Sequence, residues 1–126
     1  MSAWPTTIVQ SDIDKYAELS GDNNPMHVDP EFARTTPYGS TIAHGPITAA
    51  LIARYLAQDM GFAHRLKRLS LKFITAVRAG DQLSCEATPA TDAGQSGDMV
   101  YDVRCRNQKD ETVSAGHAVI AAGPRR

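Results

Sequence analysis

Hydrophobic and polar positions change their period near Leu66, and that change splits the chain into a helical first half and a stranded second half. In the first half Ile13, Tyr16, Ala17 and Leu19 recur at helical spacing. Ser11 followed by Asp14 resembles a capping box with Asp in place of Glu, so a helix is predicted from near Ser11 to a stop at Gly21. Asp29-Pro30 is a good N-cap and N1 pair for a short helix through about Thr35. After the turn "TPYGS", the stretch "HGPITAALIARYLAQDMG" predicts a helix over about residues 45–60, opened by Gly45-Pro46 and closed by Gly61. Its apolar positions Ile47, Ala50, Leu51, Ala53, Ala57 and Met60 are joined on other faces by Ile52, Tyr55 and Leu56. A helix apolar on most sides is normally wrapped by other structure.

Beyond Leu66 the period is two. Leu69, Leu71, Phe73 and Thr75 alternate with Ser70, Lys72 and Ile74, and "AGD" at 79–81 turns the chain into a second run from Leu83 to Thr88. Met99, Tyr101, Val103 and Cys105 alternate with Val100, Asp102, Arg104 and Arg106, which reads as a half-solvated strand. "NQKDE" predicts a hairpin loop into a last strand from Thr112. Strands are therefore expected near 67–78, 82–90, 98–107 and 112–122, with "TDAGQSGD", 91–98, a mobile loop by composition. Four consecutive antiparallel strands and one buried helix give an α+β domain, a curved sheet packed around the helix, with Ile47, Leu51, Leu71 and Phe73 in the core.

Composition narrows this picture without redirecting it. At 126 residues the chain is most simply a single domain over residues 1–126, and 42% apolar with 21% charged residues is ordinary globular usage. A formal net charge of −1 gives no drive toward nucleic acid or an anionic membrane. The longest apolar run, Ile47 to Ala53, is far too short to span a bilayer. "MSAWPTTIVQ" has neither a basic segment nor an apolar core of a secretory signal, so a cytoplasmic location is expected. Cys85 and Cys105 lack CxxC spacing and are expected as two reduced structural thiols.

Candidate chemistry sits in "SGDNNPMH", where an amphipathic helix has just run out. Asp22, Asn23, Asn24 and Pro25 would suit an ordinary turn; turn chemistry does not require His27. A carboxylate and an imidazole differ in reference pKa by roughly 2.6 units, so one can hold a proton while the other accepts one. Asp22 and His27 could share one water, with Asn24 orienting it. The plainer alternative is a helix C-terminal turn whose histidine caps a carbonyl, and a metal site built on His27 and Asp29 finds no third ligand at a recognisable spacing. In "IAHGPI" a helix beginning at Gly45 or Pro46 presents unpaired N–H groups to an anionic oxygen. Pro46 has no N–H, so Gly45 is the natural donor; a purely structural Gly-Pro helix start is the alternative, and His44 reads as a packed histidine.

An acid/base pair together with an anion-stabilising helix start is a minimal kit for chemistry through an enolate. "YAELSGDNNPMHVDPEFA" followed by "TIAHGPITAAL" resembles the hydratase 2 motif of the MaoC-like (R)-specific enoyl-CoA hydratases and (3R)-hydroxyacyl dehydratases. The resemblance runs from about Ile8 to Ile120 and implies the hotdog fold, a long helix wrapped by an antiparallel sheet, usually as a homodimer. It implies that Asp22 and His27 are the catalytic pair, Asn24 the water's support and Gly45 the donor to the thioester oxygen. It also places Pro46 and Ile47 at the acyl pocket, where many family members carry a bulky apolar residue at the position of Pro46. No metal or redox cofactor is implied, because the pantetheine arm belongs to the CoA or acyl-carrier substrate. In "HRLKR", Arg65, Lys67 or Arg68 could contact CoA phosphates or an acidic carrier surface; a solvated loop is the alternative. The rivals are a hotdog thioesterase, against which the "GDNNPMH" pattern argues, and a non-catalytic partner subunit, against which the retained Asp22, Asn24, His27 and Gly45 weigh.

Overall fold

The computed structural model describes residues 5–90 and 97–123. A two-residue strand β1 (Thr6–Thr7) leads into helix α1 (Gln10–Ser20), then two short helices, α2 (Pro25–Val28) and α3 (Pro30–Arg34), and the central helix α4 (Pro46–Arg54). Strands β2 (Leu66–Phe73), β3 (Gln82–Pro89), β4 (Met99–Arg106) and β5 (Thr112–Ile120) follow. The sheet order is β1-β3-β4-β5-β2, and every pairing is antiparallel. Helix α4 touches β2, β3 and β4, so the sheet curls around it. This is the α+β hotdog arrangement that the resemblance implies. No helix among the described residues is long and apolar enough to cross a membrane.

The core lies between α4 and the sheet. Ile52, Tyr55 and Leu56 meet Leu83, Cys85, Val103, Cys105, Val113, Ala118 and Ile120, all buried, and Ile8 and Ile13 close one end. The alternation expected of β4 is visible: Val103 and Cys105 point inward while Asp102 is exposed. At Gly116 the backbone of β2 comes so close that an added Cβ would lie 1.8 Å from the Ser70 carbonyl oxygen, so no side chain fits there.

Several elements depart from their expected form. Helix α1 starts earlier than Ser11: Val9 is the N-cap, and its N–H donates to Asp12 Oδ2 at 3.0 Å, so Asp12 does the work expected of Asp14. The central helix is α-helical only to Arg54, and its last turn, Tyr55–Asp59, widens to a π-helical one in which Met60 N donates to Tyr55 O at 3.1 Å. Gly61, at φ 76°, then ends it as expected.

Strand β2 stops at Phe73, not near residue 78, because the N–H groups of Ile74 and Thr75 both turn to one carbonyl, Val113 O (2.8 and 3.3 Å). The chain then changes partner. Val77 O accepts from Ala43 N and Ala79 N donates to Thr41 O, which ties 77–79 to the segment before α4. Phe73 is consequently not core but 55% exposed, at the end of an edge strand, while Ile47, Leu51 and Leu71 are partly buried against the core's margin. The "NQKDE" hairpin forms as expected, with Asn107 N–H to Glu111 O at 3.0 Å. Residues 91–96 of the loop expected to be mobile lie outside the described residues.

Candidate active site

Three local devices assemble the site. Gly21 adopts a left-handed conformation (φ 79°) and caps α1 through its N–H to Ala17 O, which turns the chain at Asp22. Asn24 then starts α2: its Oδ1 accepts from Met26 N at 3.1 Å, and Pro25 occupies the first helical position. That single turn of helix, absent from the sequence reading, carries His27 inward. Gln10 ties it down, donating from Nε2 to His27 O (2.8 Å) while its Oε1 accepts from Thr41 Oγ1 (2.5 Å).

Asp22 and His27 face each other. Asp22 Oδ2 lies 3.7 Å from His27 Nε2, beyond a direct hydrogen bond yet within reach of one shared water. The other carboxylate oxygen is held by the Asn24 N–H at 3.3 Å. His27 is buried, and its Nδ1 lies 2.7 Å from Ile42 O. A carbonyl can only accept, so Nδ1 carries the hydrogen and, in the neutral ring, Nε2 presents a bare lone pair toward Asp22. The carbonyl that His27 meets belongs to the segment before α4, 15 residues on, and not to the turn, and the contact leaves the second nitrogen available for chemistry. Asn24 contributes its N–H to Asp22 and its Oδ1 to the cap, so its Nδ2 is the group left to meet a water.

His44 is the neighbour that local sequence did not reveal. It is packed, as expected, at 3% exposure, with Tyr16 at 4.7 Å between centroids. Yet its ring stacks on His27 (centroids 3.8 Å, 23° between planes), and its Nε2 donates to the Asp22 carbonyl at 2.9 Å. His44 Nδ1 is buried with no hydrogen-bond partner among the described residues. Asp22, His27 and His44 each bring a possible ligand atom within 4.8 Å of the others. Near-parallel stacked rings send their in-plane lone pairs side by side, however, and do not converge them on one ion. Asp29 stands apart from this group, its Oδ1 capping α3 through Glu31 N and Phe32 N (3.1 and 3.2 Å).

Gly45 follows His44 and is the N-cap of α4, with Pro46 next. Its N–H makes no backbone hydrogen bond among the described residues, which leaves a donor at the positive end of the helix. An added Cβ at Gly45 would sit 2.7 Å from the Phe73 ring, so the ring occupies the space on the side-chain side of Gly45. A cavity of about 250 Å³ opens here, with His44, Gly45, Thr48, Phe73 and Val113 among its walls. The alternation of β2 predicts Phe73 in the core; its approach to Gly45 is visible only in three dimensions. Pro46 is exposed, and Ile47 faces a different groove, with Tyr16, Leu19 and Leu51.

The basic cluster is largely occupied elsewhere. Arg65 donates to Ala121 O and Ala122 O (3.1 and 3.3 Å) and lies 5.3 Å from the Phe62 ring centroid. Lys67 pairs with Asp98 at 2.8 Å, and the bond from its ammonium holds the Asp98 carboxyl below the usual carboxylate range. Arg68 is exposed and forms no ion pair among the described residues.

Comparison with known proteins follows the same lines. Residues 2–113 match the family described as MaoC like domain. Over 83 residues the chain is 40% identical to an (R)-specific enoyl-CoA hydratase of Rhodospirillum rubrum, a match covering 65% of this chain and 58% of that protein. Over 75 residues it is 41% identical to a 3-hydroxybutyryl-CoA dehydratase of Methylorubrum extorquens, covering 59% of this chain and 48% of that one. These alignments thus span about half the length of the curated relatives. The fold superposes on an unliganded R-hydratase of Pseudomonas aeruginosa with a TM-score of 0.86 at 29% identity, covering 98% of this chain and 79% of the other.

Proposed function

The chain belongs to the MaoC-like domain family, and from that premise we propose that it adds water reversibly across a trans-2-enoyl thioester to give a (3R)-hydroxyacyl thioester. The observation that carries this reading is the 3.7 Å gap between Asp22 Oδ2 and His27 Nε2, each an acceptor aimed at the same space. A single water has two hydrogens, one for each. As its oxygen attacks C3, the pair removes one proton from the water, and it returns one to C2. Negative charge growing on the thioester carbonyl falls to the Gly45 N–H, an effect worth roughly 2.7–4 kcal/mol where one such donor has been removed in another enzyme. Asn24 Nδ2 steadies the water. Side chains, one backbone N–H and water supply each of these proposed steps, which call for neither a metal nor a redox cofactor.

The reverse direction, dehydration of a (3R)-hydroxyacyl thioester, uses the same groups, and CoA and an acyl carrier protein present the same pantetheine arm to them. Within the cluster Arg65, Lys67 and Arg68, it is the Arg68 side chain that forms no ion pair or hydrogen bond among the described residues, and it would meet either partner. The acyl chain enters the cavity beside Gly45 and Phe73, whose walls do not include Pro46 or Ile47. The working unit is a homodimer. Strand β2 is an edge of the sheet among the described residues; it ends in exposed Phe73 (55%), with exposed Ile74 (59%) next in the chain beside the site, an apolar edge that a second copy would cover.

The test is a thioester panel, CoA against carrier-protein substrates over several chain lengths, read both by loss of enoyl absorbance and by free thiol. Hydration consumes the enoyl absorbance and leaves thiol flat. Thiol release at the same rate would instead identify a thioesterase, and no change with any substrate would leave the chain a non-catalytic partner.

A further inference from the structure

The two cysteines of the chain, which the proposed chemistry does not use, stand directly opposite each other on β3 and β4 (Cys85 with Cys105). We propose that Cys85 and Cys105 form a two-cysteine oxidation site, which a hydroperoxide converts into a disulfide within one chain.

Geometry carries the argument. Residues directly opposite on antiparallel strands have Cα atoms about 4.5 or 5.5 Å apart, and both values fall inside the roughly 4.4–6.8 Å window of disulfides. Their Cβ atoms project to the same face at about 4.5–5.5 Å, so bonding requires the strands to close by only about 1 Å. Both residues are thiols in the structure and both face the core, at 4% and 0% exposure.

Access is unequal. Cys85 lines a cavity of about 350 Å³ with Leu51, Arg54 and Tyr55, and Pro5 and Thr6 also line it. One water takes about 10–15 Å³ on the same measure, so a small peroxide fits with room to spare. Cys105 is not among that cavity's walls. The hydrogen bond from the Cys105 thiol pulls the Cys85 thiol below its ordinary range, with Arg54 acting in the same direction, while bonding to Cys85 and burial push Cys105 up. Cys85 is therefore the attacking sulfur and Cys105 the resolving one.

Both steps balance. The Cys85 thiolate attacks one peroxide oxygen; the O–O bond breaks, the sulfur is oxidised by two electrons to a sulfenic acid, and the remaining oxygen leaves as hydroxide or alkoxide. Cys105 sulfur then attacks that sulfenic sulfur. The S–S bond forms, the S–O bond breaks, and the departing hydroxide takes the Cys105 proton as water.

The experiment exposes the folded protein to hydrogen peroxide, with circular dichroism recorded alongside, then alkylates and measures intact mass without reduction. The expected result is a single-chain species lighter by two hydrogens, unreactive to alkylation, restored by dithiothreitol, and yielding a peptide that joins Cys85 to Cys105. With Cys105→Ser, dimedone should label Cys85; with Cys85→Ser, Cys105 should stay unmodified over the same time. Two alkylatable thiols after exposure, a disulfide between chains, or bond formation only once the native spectrum is lost would each overturn the proposal.

Discussion

At the scale of the residue, the site is built from groups whose roles depend on which of their atoms are already spent. His27 has committed Nδ1 to Ile42 O and keeps Nε2; Asp22 has committed one oxygen to the Asn24 N–H and keeps the other. Removing either remaining atom should disable the same event. His27→Gln should therefore cut the hydration rate by roughly 10²–10⁴-fold, and the Asp22→Asn/His27→Gln double variant should lose little more than the worse single one. Kinetics on all three variants check this; losses that multiply would mean that the two side chains act on separate steps. Asp22 and His27 could be found in the sequence because a histidine five residues after a turn aspartate has no use in the turn itself. His44 could not. Its bond to the Asp22 carbonyl and its stacking on His27 join segments far apart in the chain, and nothing in "AHGP" separates such a histidine from one that merely fills space.

At the scale of the element, the first turn of α4 and the end of β2 are one unit, because the Phe73 ring occupies the space that a side chain at position 45 would need. Gly45→Ala should cost about 1–3 kcal/mol by overpacking. In a Gly45→Ala/Phe73→Ala protein that added cost should largely disappear, so the two changes should couple. Denaturant melts of the four proteins measure it, and additive losses would place the ring elsewhere. Between β3 and β4, Arg104 forms a short ion pair with Glu86 and holds its carboxyl below the usual range. A depressed carboxyl stabilises the fold above its unfolded pKa, near 4.3, and loses that contribution as pH falls through the lower folded value. Glu86→Gln should accordingly destabilise by roughly 0.5–1 kcal/mol from pH 7 to 5, since Arg104 is partly screened by solvent, and the gap should close below about pH 4. Melting temperatures of both proteins across that range check the sign. Helices α1 and α4 and the four main strands are legible because each has a period, α3 is legible only from its Asp29-Pro30 start, and the single turn of α2 is too short to show a period. Strand β1, two residues long, is too short to show one. The end of β2 is not legible, because alternation continues to Thr75 while the regular ladder ends at Phe73 and the next two N–H groups share one carbonyl.

At the scale of the whole molecule, a curved sheet around one helix brings the loop after α1, the start of α4 and the end of β2 together. None of these is near another in sequence, so the fold class was legible from periodicity while the walls of the site were not. The sheet edge at β2, with Phe73 and the following Ile74 exposed, leads us to expect a homodimer at micromolar concentration. Light scattering checks it, and a fully active monomer would contradict it. The most direct test of the account is the rate of enoyl-thioester hydration by Asp22→Asn, measured on protein whose circular dichroism and melting temperature are those of the parent. A shared-water mechanism predicts an unchanged fold and a rate lower by at least about 10². A folded Asp22→Asn protein that hydrates at close to the parental rate would contradict it.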